Sequence, residues 1–259
     1  MPKLLKRRGA LVTDHPDSVA ITWALSFDKI ERMSPAAAEL LRFCAFLHPD
    51  AIPEEIITDG ASELGPVLQS VAGDPFELNI AIAEILKYSL LRRDPIAKTL
   101  DIHRLVQAVL KEGIDESVQL QWATRTVRAV NRAFPEYELS KLPRCERLLP
   151  HAQICAELIK QWGIESREAA QLLGLAGGYL YDRARFNEAE PLYRQTLSIE
   201  EQLLGPEHPE VASTINNLAV LLYDQARYSE AEPALHKKCP LTMLFMGKIE
   251  LFGLEKLSE

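Results

Sequence analysis

The most regular feature of the chain is a pattern of apolar and polar positions that repeats itself. Leu180-Tyr181-Asp182-Arg183-Ala184-Arg185-Phe186-Asn187-Glu188-Ala189-Glu190-Pro191 returns as Leu222-Tyr223-Asp224-Gln225-Ala226-Arg227-Tyr228-Ser229-Glu230-Ala231-Glu232-Pro233, 42 residues later. A period of this length marks stacked helical units that bury their apolar faces on one another. Each copy reads as a helical hairpin. Ala176, Gly177 and Leu180 belong to a first helix, with Leu218, Ala219 and Leu222 as counterparts, and the small members let two helices approach closely. The turn is expected near Ala184-Arg185 and Ala226-Arg227, with Phe186 or Tyr228 wedged into the corner and Ala189 or Ala231 at the helix crossing. Leu192, Thr196 and Ile199 then fall on one face of a second helix, which ends at Leu204-Gly205-Pro206, where glycine can cap and proline forbids continuation. The period reaches upstream: Gly163, Ala170 and Leu173 precede Gly205, Ala212 and Ile215 by the same 42 residues.

Residues 17–115 have a different texture. Ser18 is placed to cap a helix that buries Val19, Trp23 and Phe27. Ser34-Pro35 starts a second, burying Leu40, Leu41 and Cys44, and residues 51–57 predict a short third. Asp74-Pro75-Phe76-Glu77 opens a helix through Leu86. Leu90-Leu91-Arg92-Arg93, the turn Asp94-Pro95 and Thr99-Leu100-Asp101-Ile102 predict a β-hairpin, followed by a helix from about His103 to Lys111. Helices followed by a small hairpin suggest a winged helix. The expected class is therefore mainly α: an N-terminal tail (1–16), a winged-helix-like domain (17–115), a helical spacer with a degenerate repeat (116–164), repeats forming an α-solenoid of helix pairs (165–238), and a divergent tail (239–259).

Composition narrows the function. A formal charge of −8 argues against a general nucleic-acid binder. The predicted helix before the hairpin is acidic and apolar, leaving Arg92, Arg93 and Lys98 as the basic residues of a wing. No run of 18 apolar residues occurs, so no membrane-spanning helix is expected. Cys44, Cys145, Cys155 and Cys239 form no close pair and read as reduced thiols of a cytoplasmic protein. His151 and Cys155 share a helix face at metal-ligand spacing. The 42-residue offset places them at the positions of Tyr193 and Leu197, so packing is the preferred reading and no metal or other cofactor is expected. A Gly-x-x-x-x-Gly-Lys-Ser/Thr phosphate loop, a nucleophile elbow and a zinc-protease motif are all missing, which points away from an enzyme.

Ile215-Asn216-Asn217-Leu218-Ala219, Ala226-Arg227-Tyr228, Glu230-Ala231-Glu232-Pro233 and Leu204-Gly205-Pro206-Glu207-His208-Pro209 resemble the tetratricopeptide repeat (TPR) in its 42-residue kinesin-light-chain form. The resemblance implies a concave groove for a peptide or partner protein. Its lining would be Asn216, Val220, Tyr223 and Asp224, with Gly174, Gly178, Tyr181 and Asp182 one repeat earlier. Asn217 is the candidate for pairing with a partner's backbone; the alternative is that the asparagines solvate a helix face.

The first half resembles the winged-helix segment that follows the nucleotide-binding core of STAND-type (NB-ARC-like) signalling ATPases. The matching stretches are Ser18-Val19-Ala20-Ile21-Thr22-Trp23-Ala24-Leu25-Ser26-Phe27, Leu40-Leu41-Arg42-Phe43-Cys44-Ala45-Phe46-Leu47 and Ile102-His103-Arg104-Leu105-Val106-Gln107. The resemblance implies that His103 contacts bound ADP when an ATPase core is supplied, although Arg104 stands where the family's best-known form has aspartate. Since the phosphate loop is missing, the chain is expected to be the C-terminal part of such a protein: a fragment, a split gene product or a decayed copy. Its end, Cys239-Pro240-Leu241-Thr242, departs from Leu197-Ser198-Ile199-Glu200 one period earlier, as a frameshifted or truncated end would; a capping segment is the alternative. The expected function is a protein–protein interaction and regulatory module, with the missing nucleotide-binding domain as a further partner. A freestanding adaptor with a structural winged helix and a DNA-binding regulator remain the alternatives.

Overall fold

The computed structural model describes residues 15–136 and 141–231, with side chains from residue 22 onward. The chain divides into two compact units. The first holds the described residues through Pro135 together with those through Ile164; the second holds those from Glu165 on, with Glu136.

The first unit is organised around one short helix that is apolar on nearly every side. Ser34 accepts a hydrogen bond from the Ala37 amide (3.3 Å) and Pro35 occupies the first turn, so α2 (Pro35–Ala45) starts where the Ser-Pro pair predicts. It buries Ala37, Leu40, Leu41, Phe43 and Cys44, and burial on more than one face is what a central helix needs. Around it pack α1 (His15–Met33), α4 (Pro66–Ala72), α5 (Pro75–Leu86) and α6 (Arg104–Glu112). Helix α1 begins three residues before Ser18, so Ser18 lies inside it rather than at its cap. Trp23 and Phe27 are half-buried, and the burial expected of Val19 lies outside the described side chains. Asp74 caps α5 through the Phe76 amide (2.8 Å).

The hairpin forms as predicted, β2 (Leu91–Asp94) pairing antiparallel with β3 (Thr99–Ile102), and Asp94 Oδ1 accepts from the amides of Ile96 and Ala97, both at 2.9 Å. Residues 51–57 correct the expectation of a single helix. Ile52–Pro53 is a strand, β1, on the far side of β3, and only Glu54–Asp59 is helical (α3). The cause is tertiary. The Ala51 amide donates to Asp101 Oδ1 (2.7 Å) and the Pro49 carbonyl accepts from the Ile102 amide (2.8 Å), which holds the chain extended beside β3. A 3₁₀ turn at Ala61–Glu63 and helix α4 were not anticipated either. Two long helices complete the unit. Helix α7 (Glu116–Ala133) buries Trp122, Val127 and Val130; α8 (Leu142–Trp162) buries Leu148, His151 and Cys155.

The second unit comprises α9 (Arg167–Asp182), α10 (Phe186–Leu204) and α11 (Pro209–Asp224). Both ends of α9 and α11 differ by the 42-residue period. The phase also covers helix ends: α8 and α10 stop one residue before Gly163 and Gly205, whose φ of +60° and +84° only glycine adopts without strain. At the expected turns Ala184 and Ala226 take φ of +54° and +59°. Each is followed by a closing bond, Arg185 N to Leu180 O and Arg227 N to Leu222 O, both 2.9 Å. Ala189 and Ala231 are buried, as are Leu192, Thr196 and Ile199. The aromatics correct the wedge expectation. Phe186 is only half-buried, with its ring 5.6 Å from Tyr181, and Tyr228 is 56% exposed, 5.0 Å from Tyr223. Each lies against the tyrosine that ends the preceding helix instead of entering the cleft. The tails expected at 1–16 and 239–259 lie largely or wholly outside the described residues.

Candidate functional site

In the second unit, burial leaves one stripe of α9 and one of α11 open. On α9 it runs through Gln171, Gly174, Gly178, Tyr181 and Asp182; on α11 it runs through Ser213, Asn216, Asn217, Val220, Tyr223 and Asp224. The spacings of three and four place each set on one helix face. The two helices are bridged at both ends. Arg167 pairs with Glu210 at 2.9 Å, and the Tyr181 hydroxyl donates to Asp224 Oδ2 at 2.5 Å. The seven groove residues that the tetratricopeptide resemblance implies (Tyr181, Asp182, Asn216, Asn217, Val220, Tyr223, Asp224) fall on this shared face.

Their exposures differ. Asp182, Asn217 and Asp224 are exposed, and Tyr223 is 38% exposed. Val220 and Tyr181 are half-buried. Asn216 is half-buried too, and its Oδ1 is enclosed without a hydrogen-bonding partner among the described residues, which is unlike the freely solvated asparagine of the alternative reading.

The floor of the face comes from α10. Helices α9 and α10 approach closely at Gly177, where an added Cβ would stand 3.1 Å from two atoms of the Tyr193 ring. The Tyr193 hydroxyl reaches to 3.6 Å from the Cβ position at Gly178, and Thr196 to 3.8 Å from that at Gly174. The two glycines, both half-buried, thus leave backbone uncovered in the middle of the stripe, with the buried Tyr193 beneath it. At its C-terminal end the field is negative. Burial raises the Tyr181 hydroxyl to about 12, helped by its bond to Asp224 and by the charge of Asp182. Tyr193 is also pushed to about 12, by burial first and then by Asp182. At the N-terminal end a cavity of about 400 Å³ is lined by Arg167, Gln171, Glu200, Glu210, Ser213 and Thr214, among others. Glu200 Oε2 is enclosed there without a partner, and burial raises its carboxyl despite a hydrogen bond from Thr214. Sequence reading missed Tyr193 and Glu200. The signal for Tyr193 was its place in a helix that must pack on Gly177-Gly178; nothing in the sequence singled out Glu200.

The first unit holds the remaining candidates. His103 is the N-cap of α6: its Nδ1 accepts from the Leu105 amide (3.1 Å), and its ring lies 5.5 Å from Trp23. Accepting there leaves the ring proton on Nε2 of an exposed side chain. Of the basic wing residues, Arg93 is engaged by Glu54 (2.6 and 2.9 Å) and by Asn79 (2.6 Å). His151 is 1% exposed, hydrogen-bonds the Ala51 backbone, and lies edge-on to His48 at 6.0 Å. Cys155 is fully buried, and burial pushes its thiol far above the usual range; Cys44 is pushed up to about 12. These are packing positions. Among the described residues no group of three or more His, Cys, Asp or Glu could hold a metal ion, and no helix is long and apolar enough to cross a membrane.

Comparison with known families agrees with the division of the chain. Residues 168–237 match the tetratricopeptide repeat, a protein-interaction fold without catalytic machinery, and residues 28–119 match a Domain of unknown function (DUF7779). No curated protein matches the chain.

Proposed function

We propose that the chain is a protein–protein interaction and regulatory module whose α9–α11 face binds a peptide or a partner protein. The observation that carries this is the open face itself. Two helices of the tetratricopeptide match are bridged at both ends, and their shared face carries glycines that leave backbone uncovered and an asparagine whose Oδ1 has no partner among the described residues. An enclosed acceptor without a donor costs stability, and turning the half-buried side chain outward to a backbone N–H of a bound segment would relieve it. The domain reading extends this: a winged helix over 17–115, a helical spacer over 116–164 and repeats over 165–238.

The finer reading is that this module is the C-terminal part of a STAND-type signalling ATPase of cytoplasmic origin, regulated through a nucleotide-binding domain. What supports it is the order helix, short strand, helices, hairpin, helix in the first unit, with His103 at the N-terminus of α6 and its Nε2–H free. Phosphate is favoured at such a place. A DNA-binding role has less support, because α5 presents Phe76 and Ile80 (69% and 42% exposed) where base-reading side chains would stand, and Arg93 is already paired.

The test uses the full chain. Twelve-residue peptides selected from a displayed random library should bind the native protein and lose that binding to Gly178→Trp, whose indole would fill the stripe. Peptides that bind Gly178→Trp unchanged would place the interaction elsewhere.

A further inference from the structure

Between residues 165 and 231 the chain has 11 carboxylates, 5 arginines and no lysine. The arginines are largely spent within the unit. Arg167 holds Glu210, Arg185 holds Glu188, and Arg194 and Arg227 hold Glu190, while the Arg183 guanidinium lies 5.6 Å from the Tyr179 ring. The balance is negative, and part of it stands at the two ends of the open face. At one end stand Asp182, which no described cation pairs, and Asp224, whose one hydrogen-bond partner among the described residues is the Tyr181 hydroxyl. At the other end Glu200 lies in the 400 Å³ cavity, its Oε2 enclosed without a partner, beside a Glu210 that shares the cavity's one cation.

Burial raises the Glu200 carboxyl, with Glu210 adding to the effect. A cation brought into the cavity would oppose it, pairing with the half-exposed carboxylate and favouring its ionised form. At the far end Tyr181 and Tyr193 are raised first by burial and further by the charge of Asp182. Between the two ends the stripe carries no charge: Gly174, Gly178, Asn216, Asn217 and Val220 offer bare backbone, amides and one apolar side chain.

We infer that the occupant of this face is a cationic peptide segment, with one arginine or lysine entering the Glu200–Glu210 cavity and a second meeting Asp182 and Asp224. This rests on the peptide-binding reading above and adds the chemistry of the partner. Ser213, in the cavity wall, and Asp224 are 11 residues apart on α11, which is about 16 Å at 1.5 Å per residue. An extended segment covers that span in about five residues. The partner therefore carries basic residues about five positions apart, with small or polar residues between them to lie on the glycines.

The probes are three fluorescein-labelled peptides of twelve residues on one Gly/Ser/Ala background, with two arginines, two glutamates or two serines placed five positions apart. Each is titrated into the full chain by anisotropy at low and at physiological salt. The arginine peptide should bind, weaken as salt rises, and lose about fivefold in affinity with Glu200→Gln and with Asp182→Asn. Glu116→Gln on α7, an exposed carboxylate of the other unit, removes the same net charge and should change nothing. Equal loss with Glu116→Gln would reduce the effect to overall charge and overturn the inference, as would no binding of the arginine peptide. Glutamate or serine peptides that bind equally well and are displaced by Gly178→Trp would remove the cationic partner while leaving the groove. Binding of the arginine peptide that ignores Gly178→Trp would remove both.

Discussion

Acid should loosen the first unit through one histidine. His151 on α8 is 1% exposed, it hydrogen-bonds the Ala51 backbone, and its Nδ1 is enclosed without a partner. Burial lowers its pKa from 6.5 to about 4; the Ala51 contact opposes this and the neighbouring His48 adds to it. Above 6.5 the ring is neutral folded or unfolded, so the group contributes nothing to pH dependence there. Below 6.5 the unfolded chain takes up a proton that the folded chain refuses until about pH 4, so stability falls as pH falls across that window. At pH 4.5 the cost is about 2.5 kcal/mol, from about 1.4 kcal/mol per tenfold difference in proton affinity. Trp23, Trp122 and Trp162, the only tryptophans, all lie in the first unit, so urea unfolding followed by tryptophan fluorescence reads this unit alone. His151→Gln keeps an N–H for the Ala51 carbonyl and does not titrate. Between pH 7.5 and 4.5 the wild type should lose about 2 kcal/mol more than the variant, with the effects of carboxylates cancelling in the difference. Parallel curves for the two proteins would show that the enclosed ring is not held neutral and would refute the reasoning.

Other substitutions test the packing and the capping. Gly177→Val should cost the second unit about 1–3 kcal/mol, because the Tyr193 ring already stands 3.1 Å from the Cβ position; amide exchange in α9 and α10 should quicken, and unchanged protection would contradict the close approach. Ala184→Gly should stabilise the same unit, by up to about 1 kcal/mol, since alanine is strained at φ +54°; a lower melting temperature would mean the turn is not left-handed. His103→Ala should cost about 1 kcal/mol through the lost cap on α6, read by tryptophan fluorescence in urea. With an ATPase core supplied it should also weaken ADP retention, and unchanged ADP affinity would leave His103 a capping residue alone.

The repeat was legible because its determinants are local. The apolar spacing, the small residues at the crossings and the glycines beyond helix ends lie within one hairpin, and α9 and α11 keep the 42-residue phase at both ends. Strand β1 was not legible for the opposite reason. The Ala51 amide is held by Asp101, fifty residues later, and its backbone meets His151, a hundred residues later, so no window around Ile52 contains the cause. The open face falls between these cases. Its seven expected residues share a helical phase, which sequence shows, but its depth depends on α10. Gly177 and Gly178 are neighbours in sequence with different consequences. At Gly177, which is buried, the missing Cβ lets the Tyr193 ring pack, whereas Gly178 is half-buried and a Cβ there would only touch the same residue's hydroxyl at 3.6 Å. Likewise Glu200 looks like any acidic residue of a solvated helix until Ser213 and Thr214 of α11 enclose it. The chemistry of the face thus depends on α10 as well as on the two helices that form its stripes. Specificity would then change through residues such as Tyr193 and Glu200 while the repeat pattern itself stays intact.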